Sequence, residues 1–295
     1  MIKINVPATS ANVGPGFDSL GLALGLYNHV HIEEYDGISI SWPTACANRR
    51  DNLVYKTAKY LYDVCGRPFR GLRIVQENNI PMTRGLGSSS ACIIAGLAGA
   101  NVLLGCPMTT GELVNIAAQT EGHPDNVAPA LLGGLVTAVL ENRRVYYVKQ
   151  DVRGKIKFAA FIPDFELPTS VARGVLPDQV PHRDGVYNLS RAALMSVSLY
   201  SGAFHNLRIA AQDRLHQPYR LQMIKGAEDI FELCYHLGAY ACYISGAGPT
   251  LIAMIPPENL QFAETAEKAL VDRGFPNWRL QMLEIDNEGT TIQFE

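Results

Sequence analysis

The chain has 295 residues, 47% of them hydrophobic and 18% charged, with a formal net charge of −3. Those values fit a substantial core shared between two domains, and the absence of a basic excess removes the electrostatic case for a nucleic-acid surface. The six cysteines, Cys46 among them, stand without a CxxC or a short Cys/His spacing, which argues against a zinc knuckle or a disulfide framework and fits reduced thiols in the cytoplasm.

The opening MIKINVPA alternates and predicts a strand, without the charged and apolar regions of a secretory leader. YNHVHIEEY alternates too, with Val30 and Ile32 on one face. RDNLVYKTAKYLYDVCG predicts a helix with Asp51 or Asn52 as N-cap and Gly66 past its end. GLRIVQE is a short strand, and RGLGSSSACIIAGLAGANVLLG (84–105) places glycines and serines before an apolar helix. That run is interrupted by Asn101 and glycines and is too short to span a membrane, so it reads as a buried helix. MTTGELVNIAAQTEG predicts a second capped helix, and GGLVTAVL with RRVYYVKQ a hairpin turning at Glu141-Asn142. After about residue 154 the pattern restarts, with strand 156–162, helices near 187–201 and 226–237, strands 239–244 and 250–255, helix 258–273 and strand 278–285. Hairpins mixed with helices predict an α+β fold, divided into domains 1–154 and 155–295.

GLGSSS is the segment with the clearest chemistry. A helix starting near Ser88 leaves its first N–H groups unpaired at its positive dipole end. Glycines let the backbone approach an anion, so a phosphate fits there, while serine hydroxyls add donors and metal-ligating oxygens. No Lys follows the last glycine, so the loop is not a Walker A motif, and the spacing is not GxGxxG. Taken alone, the loop is equally compatible with a serine N-cap before a core helix.

Three further segments accompany it in order: VPATSANVGPGFDSLGLAL (6–24), EGHPDNVAPALLGG (121–134) and ISGAGPTLIA (244–253). Together the four resemble the GHMP small-molecule kinases over nearly the whole chain, and PATSANVGPGFDSLGLAL and HPDNVAP are closest to the homoserine kinase branch. The resemblance implies a two-domain fold, with an N-terminal domain like ribosomal protein S5 domain 2 and a ferredoxin-like C-terminal domain. It also implies ATP-dependent phosphorylation of the L-homoserine hydroxyl, a step towards threonine. It puts the ATP phosphates on Gly85, Leu86, Gly87, Ser88, Ser89 and Ser90, and Mg²⁺ on Ser89 and Glu121. Ser90 stands where the family usually has alanine, so the register of the metal-binding serine stays open between Ser88 and Ser89.

The resemblance assigns substrate contacts to Asn12, Asp18, Asn126, Arg173 and Arg220. Asp18 would meet the ammonium and the two arginines the carboxylate, for which a forked guanidinium is suited. Asn126, Thr169 and Arg173 would lie nearest the reaction, with Thr169 beside the γ-phosphate. Gly246 and Gly248 of SGAGPT would complete the site from the second domain. His123 and Asp125 are candidates for a general base, but phosphoryl transfer rests mainly on positioning and charge neutralisation, and the base stays unassigned. The remaining alternatives are a GHMP kinase for a different alcohol and a non-catalytic binding protein of the same fold. Nucleic acid and membrane are not expected partners, and a homodimer is expected by analogy alone.

Overall fold

A computed structural model describes residues 1–41, 49–152 and 156–294. Cys46 and the predicted division between residues 154 and 155 lie outside the described residues. β1 (Ile2–Ala11) and β2 (Leu20–Glu34) form the central antiparallel pair, with a register shift between Pro7 and Ala8. β2 begins seven residues before the alternating segment that predicts it. Its first half, Leu20–Leu24, is buried throughout because β1 and a later strand flank it, so no polar face marks it in the sequence.

β3 (Gly37–Ser41) runs parallel to β4 (Gly71–Glu77), and α1 (Leu53–Val64) connects them. Asn52 is the N-cap of α1, accepting from the Tyr55 amide at 3.1 Å, while its own amide donates to Gln76. α2 (Ser88–Leu103) is buried all round from Ser90 to Asn101, as befits a helix that is predominantly apolar on every face. α3 (Thr110–Glu121) starts with a reciprocal capping box between Thr109 and Glu112 and stops at Gly122 in a left-handed conformation. A short α4 (Val127–Leu132) follows, and then the hairpin of β5 (Leu135–Glu141) and β6 (Arg144–Gln150).

The second sheet contains β7 (Lys157–Pro163), β8 (Ala241–Ile244), β9 (Leu251–Ile255) and β10 (Trp278–Leu283). Between β7 and β8 lie α5 (Thr169–Gly174), α6 (His182–Ser201), α7 (Leu207–Ala210), α8 (Gln217–Leu221) and α9 (Ala227–His236); α10 (Phe262–Asp272) lies between β9 and β10. The antiparallel order β10-β7-β9-β8 with these crossovers is the split β-α-β arrangement of ferredoxin-like folds. The last strand, β11 (Thr291–Phe294), crosses back to pair with β1. The first sheet is thus ordered β11-β1-β2-β4-β3, with β5 on the other stretch of β2 and β6 beyond it.

Strand alternation decides how the second sheet is packed. Phe158, Ala160, Ile162, Tyr243, Ile252 and Met254 join the large core of the first sheet and its helices. Their neighbours Phe161, Ile244, Leu251, Ala253 and Ile255 form a second core with residues of α9 and α10. The two-domain α+β fold expected from the sequence is therefore present, with both faces of the smaller sheet buried. Among the described residues, no helix is long and apolar enough to cross a membrane.

Candidate active site

A cleft of about 100 Å³ lies where the turn before α2, the loop after β1, the end of α3 and the turn between β8 and β9 converge. Gly85 (φ 75°) and Gly87 (φ 71°) take left-handed conformations there. A side chain on Gly85 would strike the carbonyl oxygens of Ser245 and Gly248, and one on Gly87 the Thr9 hydroxyl. Gly87 caps α2 without any side-chain hydrogen bond, so the positive end of a 16-residue helix meets the cleft with its first amides uncapped. Ser88, Ser89 and Ser90 line the cleft, whereas the Leu86 side chain turns into the core.

Glu121, the last residue of α3, reaches that first turn. Ser89 Oγ donates to Glu121 Oε2 at 3.3 Å and Ser90 Oγ to Oε1 at 3.0 Å. Of Ser88 and Ser89, only Ser89 has its hydroxyl on this carboxylate. Ser90 is fully buried, and its hydroxyl is the better-placed brace. Hydroxyl and carboxylate oxygens at the mouth of an anion-binding helix suit a hard divalent cation.

The opposite wall carries the charges expected for a zwitterion. Arg173 of α5 grips Asp18 through both oxygens, Nη2 to Oδ1 at 2.6 Å and Nη1 to Oδ2 at 3.1 Å. The predicted anion and cation therefore lie side by side and neutralise each other. The hydrogen bond to Asp18 raises the pKa of Arg173 despite partial burial. Asn12 holds this corner: its Oδ1 accepts from the Asp18 amide at 3.0 Å and its Nδ2 donates to the Gly246 carbonyl at 2.8 Å. Arg220 of α8 is buried, and burial together with the Arg173 charge pushes its pKa down to about 10, so it stays cationic at neutral pH. Phe17 lies beneath both guanidinium groups, with its ring centre 5.4 Å from Arg173 Cζ and 5.3 Å from Arg220 Cζ.

Asn126 precedes α4 and accepts from Thr9 Oγ1 at 2.8 Å. His123 Nδ1 and Asp125 Oδ1 are 2.5 Å apart. Burial opposes charge on His123, but the bond to Asp125 and the charges of Asp125, Asp18 and Glu121 outweigh it and raise its pKa above the ordinary histidine value. Asp18, His123 and Asp125 bring donor atoms within 4.8 Å of one another, yet Arg173 and the histidine already engage the two carboxylates. Thr169, the first residue of α5, also lines the cleft.

Except for Leu86 and Gly248, every predicted site residue borders this single cleft. Residues that the sequence reading passed over support it from behind. Ser10 and Ser245 share a 2.8 Å hydrogen bond, and Ser245 Oγ donates to the Gly85 carbonyl at 2.6 Å, tying β1 and the β8–β9 turn to the phosphate loop. Arg84 donates to the carbonyls of Met82, Pro163 and Asp164 and locks the entry to that loop. Hydroxyls at successive positions of a buried strand, as at Thr9 and Ser10, are the trace such partners leave in a sequence.

Comparison with known proteins agrees with this geometry. Family models for the GHMP kinases N-terminal domain and the GHMP kinases C-terminal domain match residues 52–134 and 195–271. A homoserine kinase of Clostridium beijerinckii is 47% identical over 294 residues, spanning 99% of this chain and 98% of that protein. The chain belongs to the homoserine kinase family of GHMP kinases. A second member, from Caldicellulosiruptor bescii, is 44% identical over 99% of this chain and 97% of its own. The crystal structure of homoserine kinase from Cytophaga hutchinsonii superposes with a TM-score of 0.88 at 27% identity, covering 99% and 97% of the two chains. A putative homoserine kinase from Listeria monocytogenes gives 0.83 at 32% identity over the full length of both. An L. major mevalonate kinase shares the GHMP fold at 15% identity and a TM-score of 0.74, covering 97% of this chain and 96% of that one.

Proposed function

We propose that this protein is a homoserine kinase, transferring the γ-phosphoryl group of ATP to the hydroxyl of L-homoserine to give O-phospho-L-homoserine in threonine synthesis. The observation that carries the reading is one cleft holding an uncapped helix N-terminus at one end and Asp18, Arg173 and Arg220 at the other. The first suits a polyphosphate and the second an amino acid with both charges intact. An alcohol bearing no ammonium group would leave Asp18 without its substrate partner.

In the proposed mechanism the amides of the Gly85–Ser90 turn hold the ATP phosphates, and the dipole of α2 stabilises their charge. Ser89 and Glu121 would hold Mg²⁺, which when bound neutralises charge on the phosphates. Ser90 keeps the Glu121 carboxylate turned towards that turn. Asp18 takes the ammonium of homoserine, and Arg173 and Arg220 take the carboxylate. Asn126 and Thr169 flank the hydroxyl and the γ-phosphoryl group. The reacting atoms then meet at about 3–3.5 Å, and alignment supplies much of the acceleration. In this scheme residues 1–154 carry the phosphate loop, while residues 155–295 supply Thr169, Arg173 and Arg220; we place the enzyme in the cytoplasm.

The test is ADP release from Mg²⁺-ATP with L-homoserine, mevalonate and galactose offered separately. Homoserine alone should sustain turnover. Preference for either other alcohol, or no turnover with any, would overturn the proposal.

A further inference from the structure

A buried histidine, His216, lies one helical turn before Arg220 and contacts its guanidinium. The guanidinium has five N–H groups. Nε donates to the Ala172 carbonyl at 3.1 Å, and Nη1 donates to the Gly246 carbonyl at 3.0 Å and to His216 Nδ1 at 3.2 Å. The two N–H groups of Nη2 have no protein partner among the described residues, and Arg220 lines the cleft. A ring nitrogen facing a guanidinium N–H must accept. His216 is therefore the neutral tautomer with its proton on Nε2, and that proton goes to the Gly14 carbonyl at 2.7 Å.

The surroundings hold this tautomer in place. The His216 ring is fully buried and stacks on Phe17 at 5.3 Å between centroids. Burial is the main influence that keeps its pKa below the ordinary histidine value. Asp213 does not compete strongly for the ring, because its carboxylate is already occupied. It accepts from the amides of Leu215, His216 and Gln217 and from Asn188 Nδ2, and stands 3.7 Å from His216 Nε2. Asn188 Nδ2 also donates to the Pro15 carbonyl at 2.9 Å. His216 thus has one nitrogen on Arg220 and the other on the loop that carries Asn12 and Asp18.

We propose that His216 is a positioning residue that turns the Nη2 edge of Arg220 towards the substrate carboxylate. The proposal rests on the reading of Arg220 as a carboxylate ligand. It goes beyond that reading in naming the group that makes Arg220 competent, and in requiring an acceptor, rather than a donor or mere bulk, at the Nδ1 position.

Three variants separate these roles. His216→Asn places an amide oxygen near the Nδ1 position and keeps the acceptor. His216→Gln places an amide nitrogen near Nε2 and keeps only the link to Gly14. His216→Leu keeps neither. Losing a hydrogen bond to a charged group corresponds to about 10- to 100-fold in binding. The KM for L-homoserine should therefore rise by about that factor in the Gln and Leu variants and by less than about threefold in the Asn variant. The KM for ATP should stay within about threefold in all of them.

If the Leu variant fails to fold, the contrast between Asn and Gln still decides. Rescue by Gln and not by Asn would show that the ring serves the Gly14 loop, and would overturn the proposal. So would a homoserine KM unchanged in Gln and Leu, or an equal loss of ATP and homoserine affinity in every variant, the mark of general structural damage. Wild-type enzyme that does not phosphorylate homoserine would overturn the functional reading and this proposal with it. Wild-type activity with insensitive variants would overturn the role of His216 alone.

Discussion

Glu121 receives two hydroxyls from successive residues of α2, and their surroundings assign them different tasks. Ser90 is buried and acts on the carboxylate only, whereas Ser89 is exposed to the cleft and remains available to a ligand. Under the proposed mechanism Ser89→Ala and Glu121→Gln should each lower kcat by about 10²–10³, the usual effect of losing one preorganised contact to developing charge. Thermal unfolding should be almost unchanged, and near-normal turnover at saturating Mg²⁺-ATP would place the metal elsewhere. Arg173→Ala should raise the KM for homoserine at least about 10-fold while that for ATP stays within about threefold, as steady-state kinetics with each substrate varied in turn will show. The motif residues were legible because GHMP kinases carry them at recognisable spacing. The pairing of Arg173 with Asp18, 155 positions apart in sequence, was not, since nothing in either local pattern points to the other. His216 was hidden for a related reason: its partners are a backbone carbonyl 202 positions away and an arginine whose burial no sequence pattern announces.

At the scale of elements, the placement of Glu121 depends on where α3 begins and ends. The capping box of Thr109 and Glu112 fixes its first turn, and Gly122 stops it one residue after the carboxylate. Thr109→Ala removes a side-chain cap worth about 1 kcal/mol, so the unfolding midpoint should fall by about 2 °C in a thermal melt. Capped helices such as α1 and α3 and alternating strands such as the second half of β2 could be read directly, because their patterns are local. The short helices α4, α5, α7 and α8 lack enough turns to show a period, although α5 and α8 carry Arg173 and Arg220. β3 and β11 hid for another reason: five and four residues long, they form by pairing with distant strands.

For the whole molecule, the smaller sheet is clamped on both faces and the chain end returns to β1. Phe158, Tyr243, Ile252 and Met254 belong to the same core as the residues of the first sheet. Calorimetry of the full chain should accordingly show one cooperative transition, and two well-separated transitions would mean that the shared core contributes little. The same coupling brings phosphate loop and charged wall together: Asn12 and Arg220 both donate to the Gly246 carbonyl, and Ser245 donates to the Gly85 carbonyl. The α+β class was legible from the order of elements, but this closure was not, because it consists of contacts between strands and turns far apart in sequence. The central claim, that this cleft selects a zwitterionic alcohol for phosphorylation, is tested most directly by kcat/KM for L-homoserine, 4-hydroxybutyrate and 3-aminopropanol with Mg²⁺-ATP saturating. A site built around paired charges should reject each analogue, lacking the ammonium or the carboxylate, by about 10⁴ relative to homoserine. Turnover of either analogue within about 10-fold of homoserine would contradict it.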